Sequence, residues 1–564
     1  VYHITPPDGS WDFVDNGVYE VFLRADHDTV TDLAGNTARP QFGEISDPIG
    51  SFEVQIEIVP VGTVFTVDTL TDSIDADLAD FMCRDAAGNC SLRAAIQQAN
   101  VMEGEQTVVF EEAGVYMLTI TNEGENIDSA KGDLDIQDDL TIIGHGADQT
   151  TINAAKTDRA FEIGTVRVNI SRVTITGGDP GPGRDGGGIY NNGNLLLHQS
   201  TVVGNSAERG GGIYSDWRGE VPGILTLLET HVDENVATET RGGGVYARDL
   251  RVIIQNSSFA GNSSKHAGGA INIFDGELFV TGTTFSQNRT DSGVPSIRSQ
   301  GGAIYSDSPR SEITTSSFTG NSATSGGAIF TNGTLRVLES RFNSNSAPDF
   351  AGAIYANRDV ELLEIQQSEF LGNTSRGDGG AIRSYADEVT IRDSLFSDNE
   401  SENAGGAIQF NDAVGVKIAN SMFERNKAVN NSGGAISAER SLEMVDIVHS
   451  SFRENTASSA GAILNHTVMT IKDSEFTGNV ASQSTGGAIE NNDSLAELTI
   501  LRSVLVNNSA DYAGGGVESN GKIVRIGAST IVKNSAPRGA NVDGEFESLG
   551  GNLIGAGTTL NSGG

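Results

Sequence analysis

The chain has 564 residues, 70 of them glycine and 12 proline, and a formal net charge of −39. It is too long for one compact core and too poor in proline for a collagen-like or proline-rich chain. It is also too acidic to attract a phosphate backbone, so no nucleic-acid partner is expected, and it has no run of 18 or more apolar residues to span a membrane as a helix.

The sequence starts at Val1 with no signal-like segment, so it reads as a piece of a longer protein with adjacent domains as neighbours. Residues 1–60 read as β-structure. VYHI, GVYEVFLRA and FEVQIEI alternate apolar and polar residues between turn clusters such as PPDG and DLAGN. Three or four strands are too few for a closed sandwich. The expectation is the C-terminal part of an Ig-like β module. SWDFVDNGVYEVFL…VTDLAGN resembles the closing strands of bacterial Ig-like or cadherin-like repeats, which implies an extracellular, multi-domain protein.

Residues 61–110 form a separate block, read as the N-terminal cap of a solenoid. FTVDTL is a strand, and an acidic loop with Asp68, Asp72, Asp75, Asp77, Asp80 and Asp85 comes next. Asp72, Asp75 and Asp77 are the candidate Ca²⁺ ligands, because Ca²⁺ takes several carboxylate and carbonyl oxygens. The loop lacks the EF-hand order, and a merely solvated acidic loop fits as well. Cys83 and Cys90 are the two cysteines of the chain. With no third or fourth ligand at zinc spacing, a disulfide is favoured over half a metal site. A disulfide implies an oxidising compartment. In SLRAAIQQAN, Leu92, Ala95, Ile96 and Ala99 recur at helical spacing, with Asn89 or Ser91 to cap the start and Asn100 to suit the end. Such a helix can cover the bare first rung of a stack of β-coils.

Residues 111–555 carry a repeat. Gly-Gly-[Ala/Gly]-[Ile/Val], or Ala-Gly-Ala-Ile, ends at thirteen positions from Ile189 to Val517, spaced 24 to 33 residues apart. Between copies lies an apolar-x-x-Asn motif, as in Phe342–Asn345 and Phe370–Asn373. Each unit holds short β-runs and no helical pattern, and is too short for a propeller blade. The fold class is therefore all-β: a single-stranded parallel β-helix, one repeat per coil, with a short capping helix and a partial Ig-like β-sandwich before it. The paired glycines are expected at a corner, Ile and Phe inward, and Asn at a left-handed bend with its amide forming ladders. Residues 556–564 form a Gly-rich tail.

The GGAI…FxxN alternation resembles the repeats of chlamydial polymorphic outer-membrane proteins and related bacterial right-handed β-helix proteins, which implies a right-handed single-stranded parallel β-helix. CSLRAAIQQAN resembles the CSLREA motif that opens many such proteins, with Ala94 where that motif has Glu. The resemblance implies an extracellular or cell-surface protein, secreted or anchored in an outer membrane. It implies adhesion or surface structure, with a glycan or cell-surface protein as partner. β-Helices also host polysaccharide lyases and glycoside hydrolases. Asp378, Arg383, Asp387 and Glu388 are the scattered candidates for such an activity, and His198 and His231 fall one coil apart.

One column breaks the repeat. The residue after each GGxI is Tyr190, Tyr214, Tyr246, Asn272, Tyr305, Phe330 and Tyr355, and then turns mostly polar. If the Ile points inward its neighbour points outward. An exposed aromatic stripe to grip a glycan or partner is the functional expectation; rings that stack on one another to stiffen the rod fit the same pattern. Trp217 and Arg218 lie in an insertion beside this stripe. They serve either as a contact or as packing against the coil.

Overall fold

A computed structural model describes residues 61–121, 129–217, 219, 223–291, 293, 299–521 and 523–557, with the backbone of four short strands before them. The chain divides into two compact units, Val1–Val61 and Gly62–Gly564. In the first, Gly17–Val21 pairs antiparallel with Gly50–Val54, and Val30–Thr31 with Thr37–Ala38. The Ig-like reading of residues 1–60 otherwise falls on residues outside the described ones, as do residues 558–564 of the Gly-rich tail.

The second unit is a parallel β-solenoid. One coil shows the plan. Ile329–Thr331 follows the glycine pair, Asn332 and Gly333 turn a corner, and Thr334–Leu338 forms a longer strand. Arg341–Asn343 carries the phenylalanine, and the short Ser346–Ala347 leads towards the next coil. Each strand pairs in parallel with its counterparts above and below. Ile304, Ile329 and Ile354 align, as do Phe318, Phe342 and Phe370. Stacking these strands produces three long sheets, here called the Gly-Ile sheet, the long-strand sheet and the Phe sheet. The Gly-Ile sheet has 16 strands.

Alternation decides what faces inward. In Thr334–Leu338, Leu335 and Val337 are buried while Arg336 is exposed. The inward residues of the three sheets merge into one continuous apolar core. The phenylalanines from Phe259 to Phe476 stack ring on ring, with centroids 4.6–5.0 Å apart and ring planes within 10°. Such pairs add about 0.5–1.5 kcal/mol each beyond their area burial. Outside, charges pair between rungs, as in Arg336–Glu364 at 3.2 Å and Arg453–Glu475 at 3.1 Å. Exposed pairs of this kind are individually weak, but a register slip would part Arg336 from Glu364.

The glycine pair does two jobs. Gly326 has φ +64, and a Cβ on Gly327 would sit 2.2 Å from the carbonyl oxygen of Gly352 on the next coil. The first glycine supplies left-handed backbone and the second supplies room. In the Ala-Gly-Ala-Ile copies, Ala351 and Ala460 take the left-handed position at φ 58 and 53.

The asparagine expectation is corrected in one respect. The left-handed residue is the one before Asn, such as Glu234, Gln287, Ser344 and Asp398. The Asn itself is buried and forms the ladder. A second polar column went unseen in the sequence. Ser316, Ser340, Ser368 and Ser394 are buried at the preceding corner. Each accepts the N–H of the coil below, as in Ser340 N–H to Ser368 Oγ at 3.1 Å, and donates to a carbonyl two residues back. The two columns satisfy the backbone groups that the corners would otherwise leave buried without partners.

Helix α1 (Leu92–Ala99) closes the first rung, with Ser91 as N-cap accepting from Ala94 N–H. It packs against Val64–Val67, Gln106–Phe110 and Leu134–Ile136. Asn100 at its end stands in for a missing strand: its amide donates to Asp135 O at 2.8 Å and its Oδ1 accepts from Gln137 N–H at 2.8 Å. Arg93 is fully buried. It pairs with Asp72 at 2.7 Å and donates to the carbonyls of Ser129, Gly132 and Asp133. Cys83 and Cys90 form a disulfide in the loop leading to the helix.

Candidate functional site

The Gly-Ile sheet presents two outward columns, one and three residues after each Ile. Tyr190, Tyr214 and Tyr246 stack at 5.1 and 5.0 Å, and Tyr305, Phe330 and Tyr355 at 5.5 and 4.9 Å. The expected exposure of this stripe is corrected. Tyr214, Tyr246, Tyr305 and Phe330 keep only 2, 4, 6 and 3 % of their surface, while Tyr190 and Tyr355 are half-buried. The cover comes mainly from residues four before an Ile. The Arg209 guanidinium lies over Tyr214 and Tyr246, at 5.2 and 5.4 Å, and that of Arg241 over Phe274 and Tyr305, at 4.8 and 5.7 Å. The Phe350 ring tilts against Tyr355 at 6.5 Å. Arg159 covers Tyr190 at 5.1 Å. The rings thus form a second, thin apolar layer beneath an arginine edge.

Acids anchor that edge. Arg209 pairs with Asp185 and Arg248 with Asp216, both at 2.6 Å. Tyr214 Oη donates to Asp216 Oδ2 at 3.2 Å. Burial pushes the Tyr214 and Tyr305 hydroxyls above their ordinary range. The ladder breaks at Asn272, which is fully buried with no hydrogen-bond partner for either amide atom. Phe274, from the second column, leans into the break and meets Tyr246 and Tyr305 at 6.0 and 5.7 Å.

From Arg383 onward the face turns polar. Arg383 pairs with Asp378 at 3.2 Å and donates to Tyr385 Oη at 2.7 Å. Gln409 donates to Glu439 at 3.0 Å, and His466 stands 3.7 Å from the same carboxylate. The neighbouring His466 imidazole, ahead of the opposing effect of burial, holds Glu439 below the usual carboxylate range. Glu490, Glu518 and Asp543 then align on successive rungs. Ser459 and Asn492 donate to Glu490, and Arg538 pairs with Asp543 at 2.8 Å. Glu518 Oε2 is buried without a partner. Burial, then the charges of Glu490 and Asp543, push Glu518 up to about 8, and burial raises Glu490 as well.

Other expectations resolve differently. Trp217 is half-buried and packs onto the core; a Cβ on Gly223 would meet its ring at 2.6 Å. Arg218 lies outside the described residues. The Ca²⁺ candidates Asp72, Asp75 and Asp77 accept hydrogen bonds from the chain itself. Among the described residues no group of three acidic, His or Cys side chains converges to hold a metal. Asp72 is taken by Arg93 and by the N–H groups of Thr119 and Ile120, Asp75 by Asp77 and Arg84 N–H, and Asp77 by Ala79 N–H. Asp378 and Arg383 meet, but Glu388 belongs to the long-strand sheet. His198 and His231 lie on different sheets.

Sequence reasoning missed the covering arginines, and it read Glu490 and Glu518 only as part of a polar run, without Asp543. The arginines and the carboxylate column were readable by register: Arg209 and Arg241 stand four before an Ile or Val, and Glu490, Glu518 and Asp543 one after the sheet's Ile or Val.

Residues 282–307 and 315–332 match the Chlamydia polymorphic membrane protein repeat. No curated protein matches the chain. Among solved structures, the A-module of the Azotobacter vinelandii mannuronan C-5 epimerase AlgE6 is 11 % identical, over 86 % of this chain and 96 % of that one, with a TM-score of 0.20. That score carries no argument about activity. The chain is a parallel β-solenoid, and two stretches of it, residues 282–307 and 315–332, are similar to the polymorphic membrane protein repeat. Among the described residues no helix is long and apolar enough to cross a membrane.

Proposed function

We propose that this is an extracellular, adhesin-like surface protein that binds a glycan or a cell-surface protein through the outer face of its Gly-Ile sheet. One observation carries the reading. The inward Ile, Phe, Ser and Asn columns repeat along the rod, whereas this outer face changes from tyrosine and arginine to amides and acids. Stacking requires the former; it does not require the latter. The repeat type and the disulfide support display outside the cytoplasm. The test is a glycan array and a cell-binding assay with the whole chain. Saturable binding that weakens when Arg209 and Arg248 are both changed to Gln is expected; no binding on either platform overturns the reading.

The second reading is a polysaccharide lyase or glycoside hydrolase. Glu490 and Glu518 on adjacent rungs favour it, since paired carboxylates are the requirement. Their burial opposes it. A polysaccharide degradation screen that releases product, and ceases with Glu490→Gln, would establish this reading over binding alone.

A further inference from the structure

Resting on the binding reading above, we infer that the break at Asn272 is a carbohydrate subsite for an N-acetylated sugar, closed here by Phe274. Tyr246 and Tyr305 stand two rungs apart with Asn272 between them in register. Two rungs span about 9.6 Å, twice the 4.9–5.5 Å ring spacing of the Tyr305–Phe330–Tyr355 stack. The gap between the two tyrosines therefore takes one flat group, and Phe274 now fills it at a tilt of 44° to one ring and 48° to the other. Phe274 is only half-buried, so a side-chain rotation opens a slot walled by two tyrosines.

The floor of that slot is the Asn272 amide. It is fully buried, and neither its oxygen nor its nitrogen has a partner. A buried polar group left so destabilises the fold, and native proteins rarely tolerate one without a use. An amide floor offers one donor face and one acceptor face. The group that answers both is another amide, and a methyl beside it suits the aromatic walls: an acetamido substituent. At the mouth lies Arg241. Its guanidinium rests on Phe274 and Tyr305, and among the described residues no carboxylate pairs with it. Its N–H groups can reach sugar oxygens. A net charge of −39 favours a neutral sugar over an acidic one.

The probe is chitotriose, with cellotriose as the control that shares its linkage and lacks the acetamido groups. Titration calorimetry and saturation-transfer NMR on the whole chain are the readouts. Phe274→Ala should bind chitotriose about tenfold more tightly than the parent if the closed slot is open a tenth of the time. Asn272→Leu should abolish that binding while leaving the circular dichroism unchanged or raising the melting temperature. Equal affinity for both trisaccharides in Phe274→Ala, no binding of either, or undiminished binding in Asn272→Leu overturns the subsite. If the whole chain binds glycans or cells and neither substitution alters this, only the subsite fails; if it binds none, the binding reading fails first.

Discussion

The Asn373 side-chain amide donates to Oδ1 of Asn399, 3.0 Å away on the next coil, and the backbone N–H of Asn373 donates to the same oxygen. The other hydrogen of that amide goes to Phe342 O, and Asn373 Oδ1 in turn accepts both donors from Asn345. Every polar group of this buried side chain is used, and the unit is copied from Asn205 to Asn534.

Asn373→Ala removes this link from the middle of the column. It leaves the Asn345 N–H and amide and the Phe342 carbonyl without their partners in a buried corner. At about 1–3 kcal/mol per orphaned group, a loss of at least 3 kcal/mol is expected. Neighbour-coupled coils should open locally. Hydrogen exchange should accelerate most around residues 340–400, and uniform protection after substitution would contradict this account.

Two glycines should respond differently to alanine. Gly372 has φ +58 and open space beyond it, with Ser344 Oγ at 3.9 Å, so Gly372→Ala should cost about 1 kcal/mol from backbone strain alone. A Cβ on Gly302 would lie 2.1 Å from Gly327 O, so Gly302→Ala must push neighbouring coils apart. Its urea midpoint should fall several times further than that of Gly372→Ala.

Arg93 ties the cap to the first coil. Arg93→Met leaves Asp72 buried without its cation and three carbonyls without a donor, at a cost of about 3–5 kcal/mol. Proteolysis should then begin within residues 62–121. Replacing both Cys83 and Cys90 by Ser should cost less, about 2.5 kcal/mol for so short a loop. Cleavage that starts elsewhere in Arg93→Met would show that the cap is not the weak point.

Glu518 gives stability a pH dependence. Its folded-state value is pushed up to about 8, above the ordinary 4.5. Between those values the unfolded chain releases a proton that the folded chain keeps, so stability falls as pH rises through this window and levels off above it. Glu518→Gln should reduce that slope and raise the melting temperature at pH 8–9. Glu490, raised by burial, leaves a residual slope of the same sign. Equal slopes in the parent and Glu518→Gln would remove Glu518 from this account.

Much of the coil was legible because stacking repeats its demands. The Ile and Phe columns, the glycine pair and the helix at Leu92–Ala99 all follow from period and spacing. Corners were harder. The left-handed residue before each Asn is Glu234, Gln287, Ser344 or Asp398, chosen by backbone geometry with no common side chain. The cover over the tyrosines was hidden for a related reason. Four residues before the Ile or Val stand Arg209, Arg241, Ala267, Gln300 and Ser325 in turn, so no single residue type marks the position. In the acidic loop the carboxylates accept from the chain's own N–H groups, a use that composition does not separate from metal binding.

The asparagine column also has a direction. One N–H of each amide points to the Oδ1 of the following coil and each Oδ1 faces the preceding one, without reversal from Asn205 to Asn534, while the second N–H returns to a carbonyl of the preceding coil. Parallel amide dipoles of about 3.5 D each add rather than cancel. The column is therefore electrically polar, with its positive end towards the last coils, where Glu518 and Asp543 sit. Two such rods laid side by side would differ in energy according to whether they ran the same way or opposed.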